Sequence, residues 1–324
     1  MQRLTSLTRS LFPEQDIYAR HLSPGQGLCL FAVLWAIFYG LGCLLPPEGL
    51  LAHDWRNYFG VDRVPPYYPP WTGFLLGLLN WPAFVGVSLA ALGLATLLRS
   101  VNPISLCMAF LSLPVFWTLF LGQLDFLALL GVVGLPFLAP LVLLKPQVAA
   151  WSLAAKRSYA IAFLVVLGAS LVVWGLWPVE MYSLRPLSAT GKHDNDISLG
   201  PAGWPLALIL LWLSRGDVDM LMLAGSLGAP YLMPYNVLAA VPAVSRLRPK
   251  AAALACCLSW LPLSANWLGP VGWWLGWAFV IWVWVCLAKA RYRSALEPQA
   301  QRLRERLRAA IDRGAPPPDH TVPN

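Results

Sequence analysis

Charge is what this chain has least of. Asp, Glu, Lys and Arg make up 12% of its 324 residues, against about 25% in a soluble domain. The windows 22–47, 64–98, 100–124, 126–144, 158–179, 197–214, 220–245 and 251–288 contain none of the four. A spanning helix needs roughly 20 predominantly apolar residues, so this distribution excludes a water-soluble globule. The runs do not alternate, which excludes a β-barrel built from strands of about ten residues. Cysteine is scarce and scattered. Cys29, Cys43, Cys107, Cys256, Cys257 and Cys286 form no CxxC pair and no Cys/His set with zinc spacing. All six lie in apolar windows and read as small buried hydrophobes. There is no P-loop, Rossmann glycine pattern, HExxH or GxSxG motif, and no internal repeat. The expectation is an enzyme or binding protein without a metal or other cofactor.

What is present is aromatic, proline-rich and apolar: 17 Trp and 29 Pro, with a mean hydropathy of +0.61. The net charge of +8 does not indicate a nucleic-acid partner. Its Lys and Arg gather at the ends of apolar segments and in the C-terminal tail, the pattern of membrane topology. The fold class is therefore all-α, a polytopic helical membrane protein. Residues 1–22, with Leu4, Leu7 and Leu11 beside Arg3 and Arg9, are expected to lie on the cytoplasmic surface. Residues 23–293 form the transmembrane domain. In residues 294–324, Leu303, Leu307 and Ile311 make a helical stripe among arginines. That suits a basic amphipathic cytoplasmic helix on anionic lipid, followed by a disordered tail containing Pro316, Pro317 and Pro318.

Arg20 precedes the first span, residues 28–45, and both termini are expected in the cytoplasm. Residues 46–70 then form a first outer loop. Asn80-Trp81-Pro82 divides 71–98 into a short interfacial helix and a span. Residues 103–121 cross outward with a kink expected at Pro114, and 126–135 return. Lys145-Pro146-Gln147 cuts 136–155 into pieces too short to cross, so a broken or re-entrant segment is expected, buried in protein. Residues 159–178 lead to a second outer loop, 179–203. Residues 204–214, a broken stretch at 220–245, and two closing spans at 251–268 and 271–288 complete about ten to twelve segments. Trp273, Trp274 and Trp277, with Trp282 and Trp284, read as interface and packing residues.

Within this frame Asp54 is the first candidate for chemistry. It follows a span closely and is flanked by Trp55, Tyr58 and Phe59, aromatics that prefer headgroup height. A carboxylate positioned there can take a proton. The ordinary alternative is a solvated loop acid. Gln123 and Asp125 stand at a polar break near a membrane boundary, and an acid at such a place suggests function. Lys145 is a cation far from any segment end. It can satisfy carbonyls at the break, snorkel to a surface or reach a phosphate. Arg56, Arg63, Arg185 and Lys192 lie in the outer loops against the charge bias. They are candidate phosphate ligands, or counter-charges to neighbouring acids.

Asp54 with Tyr58, then Tyr68-Pro69-Pro70, Gly122-Gln123 and Lys145-Pro146, resembles the GT-C type of membrane glycosyltransferase. The likeness is to glycosyltransferase family 87, the polyprenol-phosphate-mannose-dependent mannosyltransferases. Asn195-Asp196-Ile197-Ser198 resembles an outer-loop element of that family. The matching positions run from about 54 to 200. The resemblance implies a GT-C-like bundle, a polyprenyl-phosphate sugar as donor, inverting transfer, and Asp54 as general base. Arg56, Arg63, Arg185 and Lys192 would meet the donor phosphate. Tyr58, Tyr68, Gln123, Asp125, Lys145, His193, Asn195, Ser198 and Asn236 would meet the substrates. Partners are then membrane lipids, a lipid-linked sugar such as a mannose donor, and a glycolipid, glycan or protein acceptor, in a bacterial plasma membrane. The chain departs from the family in its shorter length and in Asn236, where an acid or histidine would be looked for. The alternative class is a transporter or a catalytically inactive scaffold of the same architecture.

Overall fold

The computed structural model describes residues 17–49, 51–59, 68–183, 195–292 and 305. Both terminal segments expected to lie on the membrane surface fall outside these residues, apart from short stretches. The described residues form helices and turns with no strand.

Helix α1 (Pro24–Leu44) starts at a capping box. Ser23 accepts from the Gln26 amide, the Gln26 side chain accepts from the Ser23 amide, and Pro24 opens the first turn. A π-helical turn (Trp55–Phe59) and the short α2 (Thr72–Gly77) follow. Helix α3 (Trp81–Arg99) is capped by Asn80, and α4 (Pro103–Phe110) by Asn102. Then come α5 (Leu113–Leu121), α6 (Asp125–Val133), α7 (Ala139–Val142) and α8 (Pro146–Ala149), the last continued by a 3₁₀ turn to Ala154. Helices α9 (Arg157–Trp174), α10 (Trp177–Ser183), α11 (Trp204–Ser214) and α12 (Val218–Ser226) lead to a 3₁₀ helix, Pro234–Arg246. Helices α13 (Pro249–Leu268) and α14 (Pro270–Tyr292) close the chain.

Five of these, α1, α3, α9, α13 and α14, are long and apolar enough to cross a membrane. The pair α4–α5, bent by 42°, makes a sixth. Several large apolar side chains on α1, α9 and α11 face outward, so the fold is that of a membrane-embedded helical bundle. The expected ten to twelve segments are not all helices of spanning length, because the other described helices are short pieces. The kink expected at Pro114 lies earlier. Helix α4 stops at Phe110, and Pro114 sits in the first turn of α5, where its missing N–H costs nothing. The cysteines also differ from expectation. Cys29, Cys43, Cys107 and Cys257 are exposed on apolar helix faces, Cys286 is intermediate and only Cys256 is buried. A small apolar side chain on an outward face has lipid, not protein, as its surroundings.

Helices α1 and α3 pack along their lengths. A side chain at Gly42 would come within 2.8 Å of the Pro82 backbone, so glycine permits that approach. Three tryptophans of α14 serve packing, while Trp274 is exposed. Trp277 donates to the Ile197 carbonyl, Trp282 to Ala251, and Trp284 to the Ser214 hydroxyl.

The 3₁₀ helix runs 13 residues, where runs beyond about four are uncommon. All but its last residue are buried. It packs against α3, α4, α5, α6 and α12, the surroundings in which non-α backbone is tolerated inside a membrane protein. Its small residues Ala239, Ala240 and Ala243 let the neighbours close around it.

The bundle has two polar ends. At one, Arg99 donates to Asp219 at 3.0 Å, and Arg246 donates to both Asp217 and Asp219 at 2.8–2.9 Å. Both the Arg99 and Asp219 side chains are 0% exposed. The Tyr18 ring lies 5.7 Å from the Arg99 guanidinium, and Arg291 donates to the Ser214 carbonyl nearby at 2.7 Å. Asp217 also caps α12. Removing one member of a buried ion pair costs about 3–5 kcal/mol, because the other charge stays desolvated. Asp219→Ala should therefore lower the unfolding free energy in detergent by about that amount. A loss below about 1 kcal/mol would show that Arg99 does not depend on it.

Candidate functional site

The other end holds the site. The Ala52 amide donates to the Phe120 carbonyl at 2.6 Å, with Ala52 itself at a φ of +59°. This bond lays the turn after α1 across the end of α5. Trp55 anchors it, buried against Phe84 and Trp81 with ring centroids 4.5 and 6.0 Å away. Trp81 in turn donates to the Leu45 carbonyl at 2.6 Å. Gly122 ends α5 in the left-handed region, φ +73°, and a Cβ on it would stand 2.7 Å from the Trp55 Cβ. The Gly-Gln pair is thus legible physically: glycine turns the chain and admits Trp55, and Gln123 then reaches Asp54.

Gln123 Nε2 donates to Asp54 Oδ2, and His53 Nδ1 lies 3.0 Å from Asp54 Oδ1. Behind this pair, Asp125 opens α6 and is buried. Asn236, in the first turn of the 3₁₀ helix, donates through Nδ2 to Asp125 Oδ1 at 3.1 Å and accepts the Met233 amide at 2.9 Å. Lys145 Nζ is 3.9 Å from Asp125 Oδ2 and 5.4 Å from the centroid of the Tyr68 ring, within cation–π range. Phe59 meets Tyr68 edge-on at 5.3 Å, tying the π-turn to the Tyr-Pro-Pro stretch. Two buried oxygens of this cluster, Gln123 Oε1 and Asp125 Oδ2, have no hydrogen-bond partner. A native protein seldom leaves such atoms bare.

Asp54, Tyr68, Gln123, Asp125, Lys145 and Asn236 thus come together from six places in the sequence. The remaining described candidates do not join them in this way. Arg56 donates to the Gly49 carbonyl of its own loop, and its Nε is buried without a partner. The guanidinium expected at a phosphate is used to fold the turn. Tyr58 is exposed and packs edge-on against His53 at 6.3 Å. Asp196 accepts from the Ser198 and Leu232 amides at 2.8 and 3.2 Å, and the Ile197 amide donates to the Leu232 carbonyl. The Asn195–Ser198 element is therefore docked just before the 3₁₀ helix. Ser198 is 1% exposed, so it is packed into that joint rather than displayed to a sugar. Asn195 is partly exposed beside it. Arg63, Arg185, Lys192 and His193 lie outside the described residues.

Sequence reasoning missed His53 and the Asp217–Asp219 pair, and named Asp196 only as a member of the Asn195–Ser198 element. Adjacency to Asp54 was the available signal for His53. For the acid pair it was two acids beside a set of segment-end arginines. Asn236 reads as a departure when an acid is sought there. The structure gives the physical reason for an amide: a carboxylate would face the Asp125 carboxylate, whereas Asn donates to it.

An apolar groove of about 530 Å³ has its lining begin, in sequence, at Pro146, the residue after Lys145. It is lined by Pro146, Trp151, Phe163, Leu164, Trp204 and Pro230 among others, so one wall is the outward-facing helix α9. Among the described residues, no group of three or more His, Cys, Asp and Glu could hold a metal ion. No protein-family model, curated protein or solved structure matches the chain. What fold and site define together is a polytopic membrane protein with an acid–amide–lysine cluster at one end and an apolar groove whose lining starts at Pro146, directly after Lys145.

Gly122→Ala should undock the Asp54 turn, through both the strained φ and the collision with Trp55, at about 1–3 kcal/mol. Tryptic cleavage after Arg56 is the direct readout and should accelerate. Unchanged cleavage would mean that Gly122 does not hold the turn.

Proposed function

We propose that this chain is an integral-membrane glycosyltransferase of GT-C architecture. It moves a sugar, a hexose such as mannose, from polyprenyl phosphate to an acceptor hydroxyl at the extracytoplasmic face, with base catalysis centred on Asp54. The observation that carries this reading is the meeting of Asp54, Gln123, Asp125, Lys145 and Asn236, with an apolar groove whose lining starts at Pro146, the neighbour of Lys145 in the chain. The groove suits an isoprenoid tail entering from lipid along α9. Lys145, the residue before Pro146, suits the phosphate. Its 3.9 Å contact with Asp125 is an ion pair too long for a hydrogen bond, so its ammonium hydrogens can turn to an oxyanion.

The chemistry follows from the leaving group. The acceptor oxygen loses its proton as it attacks the anomeric carbon, and a positioned base is worth about 10²–10⁴ in rate. Polyprenyl phosphate departs as a stable anion and needs no general acid, unlike the leaving group of a glycosidase. It needs positive charge nearby, the part given to Lys145 in place of Arg56. Gln123 fixes the Asp54 carboxylate, while Asn236 fixes Asp125, the counter-charge of Lys145. In this reading the basic end around Arg99 faces the cytoplasm by the charge-bias rule, which puts Asp54 outside. The short helices then count as broken crossings, in keeping with ten to twelve segments.

Purified wild type and Asp54→Asn would be compared for sugar release from polyprenyl-phosphate donors and transfer to glycan acceptors. Asp54→Asn should lose about 10²-fold or more in kcat, with the melting temperature held. Equal turnover by the two would remove Asp54 from the reaction, and no turnover by wild type on any donor would remove the transferase reading. Lys145→Met should raise the KM for the lipid-phosphate donor and lower kcat. A donor KM and a kcat both equal to those of wild type would take Lys145 away from the phosphate.

A further inference from the structure

Resting on the glycosyl-transfer reading, we infer that the proton is taken by His53, and that Asp54 acts through it as a positioning carboxylate. Both Asp54 oxygens are already engaged, Oδ1 with His53 Nδ1 at 3.0 Å and Oδ2 with Gln123 Nε2. The Asp54 side chain is 13% exposed and that of His53 is 46% exposed. The imidazole is therefore the more accessible of the two groups to an incoming hydroxyl.

A carboxylate oxygen can only accept, so the hydrogen of the shared bond sits on His53 Nδ1. The lone pair of the neutral ring is then on Nε2. The Tyr58 ring stands edge-on to the imidazole and limits its rotation. This is the logic of a carboxylate that sets the tautomer of a histidine and stabilises the imidazolium formed during reaction. Gln123 completes it by holding the carboxylate still. On the other side, Asp125 is buried and occupied by Asn236 and Lys145.

The balance is as follows. As the acceptor oxygen bonds to the anomeric carbon, its O–H bond breaks and the proton passes to His53 Nε2. The anomeric C–O bond to phosphate breaks, and its electron pair leaves with the polyprenyl phosphate. The imidazolium then gives its proton to water on the exposed side of the ring.

The test uses the full-length protein in detergent, with polyprenyl-phosphate mannose and an acceptor on which wild type is active. His53→Ala, on an exposed side chain, should leave the melting temperature and the donor KM unchanged and lower kcat about 10²-fold or more. Added imidazole should restore turnover of His53→Ala, with methylimidazoles following their basicity, and should not restore Asp54→Ala. His53→Gln, which keeps a hydrogen bond but no base, should be as slow as His53→Ala. Full activity of His53→Ala, or a loss that imidazole does not restore, would overturn the inference while the transferase reading stands. Failure of wild type to transfer from any polyprenyl-phosphate donor would overturn both.

Discussion

A charge removed from water must be met by a partner of opposite sign, and the order of this bundle depends on that requirement. A lone desolvated charge costs several kcal/mol, so a pair once formed is hard to separate. Arg99 and Asp219 lie 120 residues apart and are wholly buried against each other. Arg246 joins the 3₁₀ helix to the same acid and to Asp217. At the far end, Asp125 and Lys145 play the same part between α6 and the broken segment, with Asn236 completing the acid's surroundings. Apolar faces alone would let these helices slide, since lipid is as apolar as they are. The ionic clusters give them a register.

The two clusters differ in how completely their carboxylates are satisfied, although Arg99 Nη2, 2.9 Å from Asp219 Oδ1, also lacks an aligned hydrogen bond. Around Arg99, each carboxylate receives guanidinium hydrogen bonds of 2.8–3.1 Å, some from both arginines. Around Asp125, the lysine contact is long, and Gln123 Oε1 and Asp125 Oδ2 are left bare. The first is what a structural joint requires. The second is what a site requires when a substrate is to supply the missing partners. The amides Gln123 and Asn236 are suited to this second role. Each can donate to a carboxylate without adding charge, which keeps Asp54 and Asp125 in place and leaves Lys145 as the one cation that the described contacts bring into the cluster.

Much of the segment map was legible. The charge-free window before Arg215 corresponds to α11, Trp204–Ser214. The Asn80-Trp81-Pro82 division falls where α2 ends and α3 is capped. Lys145-Pro146-Gln147 does break its segment. These features are local, set by side chains that cap, stop or forbid a helix within a few residues. Pro114 misled because proline opens helices as well as bending them. The site was legible in part. Asp54, Gln123, Asp125 and Lys145 could be picked out one at a time as polar residues where polar residues are rare. Which of them meet was not legible, because that depends on bonds such as Ala52 to Phe120, across 68 residues. Nor does spacing reveal that Arg56 turns back to Gly49, since a surplus cation in a loop looks the same whether it serves a ligand or the loop.

The 3₁₀ helix from Pro234 to Arg246 is fastened at both extremities, Asn236 to one acid and Arg246 to two others. A 3₁₀ helix advances about 2.0 Å per residue and an α-helix about 1.5 Å. Rewinding 13 residues from the first form to the second would therefore shorten the rod by roughly 6 Å. Neither fastening could survive such a contraction. The rod thus works as a spacer of set length, and its uncommon winding is what lets so short a stretch of chain reach from one polar end of the bundle to the other.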